Sequence, residues 1–144
     1  MEIKDNKLII DIPKGMEIDT ENSNLAEGII KFKPKYITYD DIVNSFNSTA
    51  RINVFVHSDN INKLRAMAQL MNIAKYYNGD WEPEWNNRNE DKYYIYCKRV
   101  TGEYLVDANL TDVTNAIYFK NKADAQAVID NPNFRQILDT VYKC

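Results

Sequence analysis

Apolar and polar positions change period several times along the chain, and each change predicts an element. Leu8-Ile9-Ile10-Asp11-Ile12 is a β-rich run closed by Pro13, and Pro13-Lys14-Gly15 reads as a turn. Met16 to Ile18 predicts a second short strand, followed by a polar, turn-like stretch from Asp19 to Ser23. Ile29 to Lys33 alternates, with Ile30 and Phe32 on one face and Lys31 and Lys33 on the other, until Pro34 ends it. With Lys35, these lysines read as a charged face that protects a sheet edge. Residues 1–35 are thus expected to form a β-rich unit.

Residues 36–144 mix both periods. Thr38 is placed to cap a helix through Phe46, with Asp40 and Asp41 in the first turn, where the helix dipole favours acid. Ile52, Val54 and Val56 alternate and predict another strand. Ser58 or Asp59 then caps the longest helix, which runs to about Tyr77. Ile61, Leu64, Met67, Ala68, Met71 and Ala74 form its apolar stripe. Leu70, Ile73 and Tyr77 widen that stripe, which predicts burial on more than one side. Asn78-Gly79 stops the helix, since glycine enters the left-handed region at no steric cost.

Beyond the polar loop Asn86 to Asp91, Tyr93–Val100 and Glu103–Asp107 predict a hairpin around Thr101-Gly102. Ala108 to Asn115 reads as a loop or a single helical turn, and Ile117 to Phe119 as a strand. Asn121 caps a helix through about Ile129. Asn131-Pro132 opens the last helix, which carries Phe134, Ile137, Leu138 and Val141 on one face. The expected fold class is α+β: a small antiparallel sheet packed against one long central helix and a C-terminal helix, with an N-terminal β-hairpin unit. No internal repeat or low-complexity linker divides the chain. The softest boundary lies near Pro34 to Ile37, and residues 1–144 are expected to form a single domain.

Composition narrows the function. The chain has 144 residues, 44% hydrophobic and 27% charged, which is the balance of a folded globular protein. Its net charge of −3 disfavours a protein whose main task is gripping nucleic-acid phosphates. Cys97 and Cys144 fit neither a disulfide framework nor a metal-ligand spacing and are expected as free thiols in a reducing compartment. The first twelve residues read as neither signal peptide nor membrane span, so the cytoplasm of a bacterial host, or a phage particle, is the expected location. Abundant Asn, Ile, Lys and Tyr with only 4 glycines point to A/T-rich codons and hence to a bacterial or phage genome.

Candidate chemistry is sparse, and no catalytic residue, metal site or cofactor is predicted. His57 is the single histidine. His57-Ser58-Asp59 has the residue types of a hydrolase triad, but triads assemble from distant segments, and this reads as a strand end entering a helix cap. A zinc site needs about four ligands, which one histidine and two distant cysteines do not supply. Asp40-Asp41 is the nearest approach to an oxygen-only cation site and reads as a solvated helix start. With Glu82 or Glu84 it would serve an enzyme only if two carboxyl groups stood roughly 5–10 Å apart in a cleft.

Trp81-Glu82-Pro83-Glu84-Trp85 stands out. In extended backbone Trp81, Pro83 and Trp85 share one side, and Glu82 and Glu84 the other. Two readings follow: the indoles clamp the long helix, or they anchor a recognition loop. In the hairpin, Tyr93, Ile95, Cys97 and Arg99 oppose Tyr94, Tyr96 and Lys98. One face meets the core, so the second leaves tyrosines and Lys98 exposed, either as ordinary cross-strand pairs or as a base-stacking surface. The candidate binding residues are therefore Trp81, Glu82, Glu84, Trp85, Tyr94, Tyr96 and Lys98.

Pro13-Lys14-Gly15-Met16-Glu17-Ile18-Asp19 and the strand from Ile29 to Lys33 resemble the opening of small uncharacterised phage and prophage proteins of gut Bacteroidetes. The stretch Ala66-Met67-Ala68-Gln69-Leu70, with Trp81-Glu82-Pro83-Glu84-Trp85, is similar to their Ala-Gln-Leu and Trp-x-Pro-Asp-Trp segments, with Glu84 where Asp is usual. Lys92 to Ile95, Tyr118-Phe119 and Phe134 to Leu138 resemble their later strand and helix. The resemblance implies a mobile-element origin and carries no catalytic residue. Together these readings lead to a non-enzymatic protein-binding protein, an accessory factor that binds a host or defence protein. A minor virion or assembly component, and a nucleic-acid or nucleotide binder, stand as alternatives. A protein partner is expected and a membrane is not.

Overall fold

The computed structural model describes residues 2–4, 7–111 and 117–144, in two units, Met1–Tyr36 and Ile37–Cys144. The class is α+β.

In the first unit, β1 (Glu2–Lys4) pairs antiparallel with β2 (Lys7–Ile9), and β3 (Met16–Ile18) with β4 (Phe32–Pro34). The Pro13 turn forms as expected, with the Met16 amide bonded to the Pro13 carbonyl at 3.0 Å and Gly15 at φ 77°. The strand expected over Leu8–Ile12 stops at Ile9, because its partner β1 is only 3 residues long. The strand expected from Ile29 begins at Phe32. Ile29 instead bonds Asn24 across the turn Leu25–Glu27, which Asn24 caps. None of the side chains from Ile9 to Tyr36 is fully buried.

The second unit holds the core. Helix α1 (Tyr39–Ser45) starts with a capping box: Thr38 accepts from the Asp41 amide at 3.2 Å, and Asp41 accepts from the Thr38 amide at 2.9 Å. Helix α2 (Ile61–Asn78) follows a 3-10 turn, Ser58–Asn60, and there His57 Nδ1, rather than Ser58 or Asp59, accepts the capping hydrogen bond. Its buried side is Ala66, Leu70, Ile73 and Ala74. The apolar stripe expected through Ile61, Leu64 and Met71 is therefore rotated, and those three side chains are exposed. Helices α3 (Lys122–Asp130) and α4 (Arg135–Tyr142) complete the helical set, joined by the 3-10 turn Pro132–Phe134. Helices α1 and α4 pack on α2, and α3 lies against the hairpin formed by β5 (Lys92–Lys98) and β6 (Glu103–Asn109). Ile42, Leu70, Ile73, Ile95, Phe119 and Phe134 meet in one cluster. Buried Asn131 ties its chain neighbours to Ile37, whose carbonyl accepts from Asn131 Nδ2 at 2.8 Å.

Further expectations fail. The strand expected over Ile117 to Phe119 reduces to a single antiparallel bridge between Phe119 and Tyr93. No strand forms over Ile52, Val54 and Val56; the segment is irregular and Ile52 is 78% exposed. Alternation supplies an amphipathic pattern but not a partner edge, and a strand needs both. The cysteines are also not free: Cys97 and Cys144 form a disulfide with Cα atoms 5.5 Å apart. Their 47-residue separation hid the pairing, which arises only when α4 returns to the hairpin. With the thiols paired, the thiol argument for a reducing compartment falls away. The loop expected over 108–115 gives way to β6 as far as Asn109, and its part from residue 112 lies outside the described residues.

The disulfide is one of two staples at the same place. Cys97 stands opposite Tyr104 in the hairpin register. The Tyr104 hydroxyl donates to Asp139 on α4 at 2.7 Å, and the Arg135 guanidinium sits 4.7 Å from its ring. Burial, then the Asp139 carboxylate, push the Tyr104 phenol well above its ordinary pKa. Reduction of the disulfide should lower the free energy of unfolding by about 2–4 kcal/mol, from the freed loop entropy of the unfolded chain. Urea titrations with and without reductant, with Cys144→Ser as the control that reductant no longer affects, measure it.

Candidate recognition surface

Lys92 begins β5 on the strand parity of Tyr94, Tyr96 and Lys98, the face turned away from the core. A lysine there would ordinarily reach water, yet its side chain is 0% exposed. The loop from Trp81 to Asp91 folds over it. Its ammonium donates to the carbonyls of Glu90 at 2.8 Å, Asn87 at 3.0 Å and Leu110 at 3.0 Å. Three donors meet three acceptors, so the hydrogen-bonding capacity of the ammonium is filled. Glu90 Oε2, 3.3 Å away, supplies the counter-charge, and the Trp85 ring lies 5.6 Å from the nitrogen.

Glu90 is the second organiser. Its Oε1 accepts from the Trp81 indole N–H at 2.8 Å, and its Oε2 from the Glu84 amide at 3.0 Å. The Trp81 bond, then the Glu84 amide and Lys92, hold its carboxyl below the usual glutamate range against the opposing effect of burial. The segment shows the expected alternation: Trp81, Pro83 and Trp85 are half-buried, and Glu82 and Glu84 exposed.

The two indoles part company. Trp81 and Pro83 turn toward α2, where they line a cleft of about 180 Å³ with Met71, Ala74, Ile117 and Tyr118. Trp85 packs edge-on against Tyr118 with centroids 4.9 Å apart. From Tyr118 the contacts run on to Tyr94 at 6.2 Å, and from Tyr94 to Tyr96 at 6.2 Å. Lys98 is exposed at the far end of the same strand face. Tyr118 is itself held by Asn78 at the end of α2: Nδ2 donates to the Tyr118 carbonyl at 2.8 Å, and Oδ1 accepts from the Lys120 amide at 2.9 Å.

Of the predicted residues, Trp85, Tyr94, Tyr96 and Lys98 thus share one surface, Trp81 braces it from the α2 side, and Glu82 and Glu84 are exposed in the same segment as the indoles. Lys92, Glu90 and Tyr118 were not singled out by the sequence. A lysine at a strand start, and an acidic residue in a polar loop, carry no periodic signal; only the fold of the loop makes them central. The other candidate groups stay apart. Asp41 serves Thr38, Asp40 is exposed, and His57 is an exposed cap. A polar groove of about 700 Å³ between α1, α2 and α4 holds Asp40, Arg65, Gln69, Gln136 and Thr140. Among the described residues no three His, Cys, Asp or Glu side chains are grouped to hold a metal ion.

Lys92→Met keeps the stem and removes the charge, stranding three carbonyls and Glu90; it should cost about 3–5 kcal/mol, read by chemical denaturation. Acid should also loosen the loop. Because the folded Glu90 pKa is depressed, its stabilisation is complete above the unfolded value of about 4.3 and is lost as pH falls through the lower folded value. Stability measured from pH 6 to 3 should therefore drop in the wild type, while Glu90→Gln starts lower and converges on it. Comparison with protein families, curated proteins and solved structures returns no match for this chain, so the reading of this surface rests on its own residues.

Proposed function

We propose that this chain is a phage- or prophage-encoded protein that acts by contact rather than catalysis, binding a host or defence protein through Trp85, Tyr94 and Tyr96, a row of rings linked by the buried Tyr118. The observation that carries this reading is the set of contacts that holds that row. Trp85 lies over a lysine whose every donor is used, and the partly exposed Trp85 and Tyr94 rings both pack against Tyr118, which is buried, so their positions are set before any partner arrives. Preorganised aromatic side chains make good anchors, because little conformational entropy remains to be lost on binding. Exposed Glu82 and Glu84 in the Trp81–Trp85 segment and exposed Lys98 at the end of β5 supply charges that can orient a partner. The mobile-element origin rests on the codon preference and on the Trp-x-Pro-x-Trp resemblance.

The disulfide favours a second reading, a minor virion component. Cys97–Cys144 would persist in a released particle, whereas the reducing host cytoplasm opposes such bonds. No helix among the described residues is long and apolar enough to cross a membrane. Proteomics of purified particles separates the two: stoichiometric presence supports the virion role, and absence supports the accessory factor.

The contact itself is tested with Tyr96→Ala, Lys98→Glu and Glu82→Lys, all on the outer face. Affinity capture from the natural host should lose its partner by at least about tenfold with each, while circular dichroism and melting stay as in the wild type. Capture indifferent to all three would overturn the assignment of this face. Salt-sensitive binding of single-stranded or duplex DNA at micromolar protein, read by fluorescence anisotropy, would move the function to nucleic acid.

A further inference from the structure

Among the described residues one segment pairs with no strand and one sheet edge has no strand beside it, and the two match. Arg51 to His57 lies outside every helix and strand, and Ile52, Val54, Phe55 and Val56 are exposed, Phe55 fully. β-branched and aromatic residues fill the segment, so its intrinsic preference is extended. An apolar run this continuous in water marks an interaction site or an aggregation hazard.

The edge belongs to β6. Tyr93 turns its amide and carbonyl toward Phe119, with bonds of 3.0 and 2.7 Å. Pairs alternate along an antiparallel ladder, so Tyr93–Ala108, Ile95–Val106 and Cys97–Tyr104 are the pairs without mutual hydrogen bonds. Tyr104, Val106 and Ala108 therefore direct their backbone polar groups to the outer edge of the hairpin. The Asp107 carboxylate takes the Ala108 amide at 2.8 Å. Among the described residues nothing bonds the outward amides and carbonyls of Tyr104 and Val106.

We infer that Arg51–His57 of one copy adds as an antiparallel strand to β6 of a second copy, with Val54 opposite Val106. Among the described residues of a single chain the segment pairs with no strand. In this register Ile52, Val54 and Val56 fall beside Ala108, Val106 and Tyr104, on the side that faces the core. Asn53, Phe55 and His57 fall beside Asp107, Leu105 and Glu103 on the outer side. Apolar meets apolar and polar meets polar at each of these pairs, and a slip of one residue would reverse every face. Charge agrees as well, since Arg51 and His57 approach a strand that carries Glu103 and Asp107. The residues whose outward groups lack partners, Tyr104 and Val106, are those that would exchange hydrogen bonds with Val56 and Val54. Phe55 then lies beside Leu105, whose partner across the hairpin is Tyr96, so the added strand lengthens the aromatic face.

Sedimentation velocity from about 1 µM to a few hundred µM tests the association, in parallel with amide hydrogen exchange at both ends of that range. The wild type should self-associate as concentration rises, and the Tyr104 and Val106 amides should then exchange about tenfold more slowly or less. Val54→Pro removes a donor at a site that is exposed and unpaired in the single chain, so it should keep the circular dichroism of the wild type and stay monomeric. A wild type that is monomeric throughout overturns the inference. So does association that survives Val54→Pro, or association that leaves the Tyr104 and Val106 amides exchanging at their dilute rate.

Discussion

The outer half of the second unit depends on one buried cation. Burying an ammonium costs several kcal/mol unless it is paired and its donors are filled, and Lys92 meets both conditions through three carbonyls and Glu90. Those acceptors come from the loop before β5 and from the end of β6. One side chain therefore fixes the path of a loop that has no regular structure of its own. Trp85 covers the charge, Glu90 orients Trp81, and the aromatic row inherits its geometry from both.

The opposite end of the hairpin is fixed by different chemistry. There the Cys97–Cys144 disulfide and the Tyr104–Asp139 hydrogen bond join neighbouring positions of the two strands to α4 and the residues just after it. Since α4 packs on α2, and Asn78 of α2 holds Tyr118, both ends of the hairpin refer back to the same helix. The hairpin is thus tied at both ends as well as packed on the core through Ile95 and Tyr104. The segment Arg51–His57 has no such fixing, and it is the part of the second unit whose local preference the fold leaves unanswered.

Elements with local causes were legible. The Thr38 capping box, the Gly79 helix stop, the Gly102 turn and the Asn131-Pro132 helix start each follow from a few adjacent residues, and each stands where expected. The split of Trp81, Pro83 and Trp85 from Glu82 and Glu84 followed from backbone parity, as did that of Tyr94 and Tyr96 from Ile95. Expectations that required a distant partner fared differently. Ile52 to Val56 has the pattern of a strand but pairs with no strand among the described residues. The broad stripe of α2 offered two faces, and the positions of α1 and α4 selected the one through Leu70 and Ile73.

By itself, then, the sequence determined the α+β class, the four α-helices and the Lys92–Asn109 hairpin, because periodicity, caps and turns act over a few residues. Tertiary structure alone decided that Cys97 meets Cys144, that Lys92 is enclosed, and that Tyr118 bridges Trp85 to Tyr94. Each of these depends on bringing together groups far apart along the chain, or on folding an irregular loop over a strand, and no local pattern records where such a chain path returns.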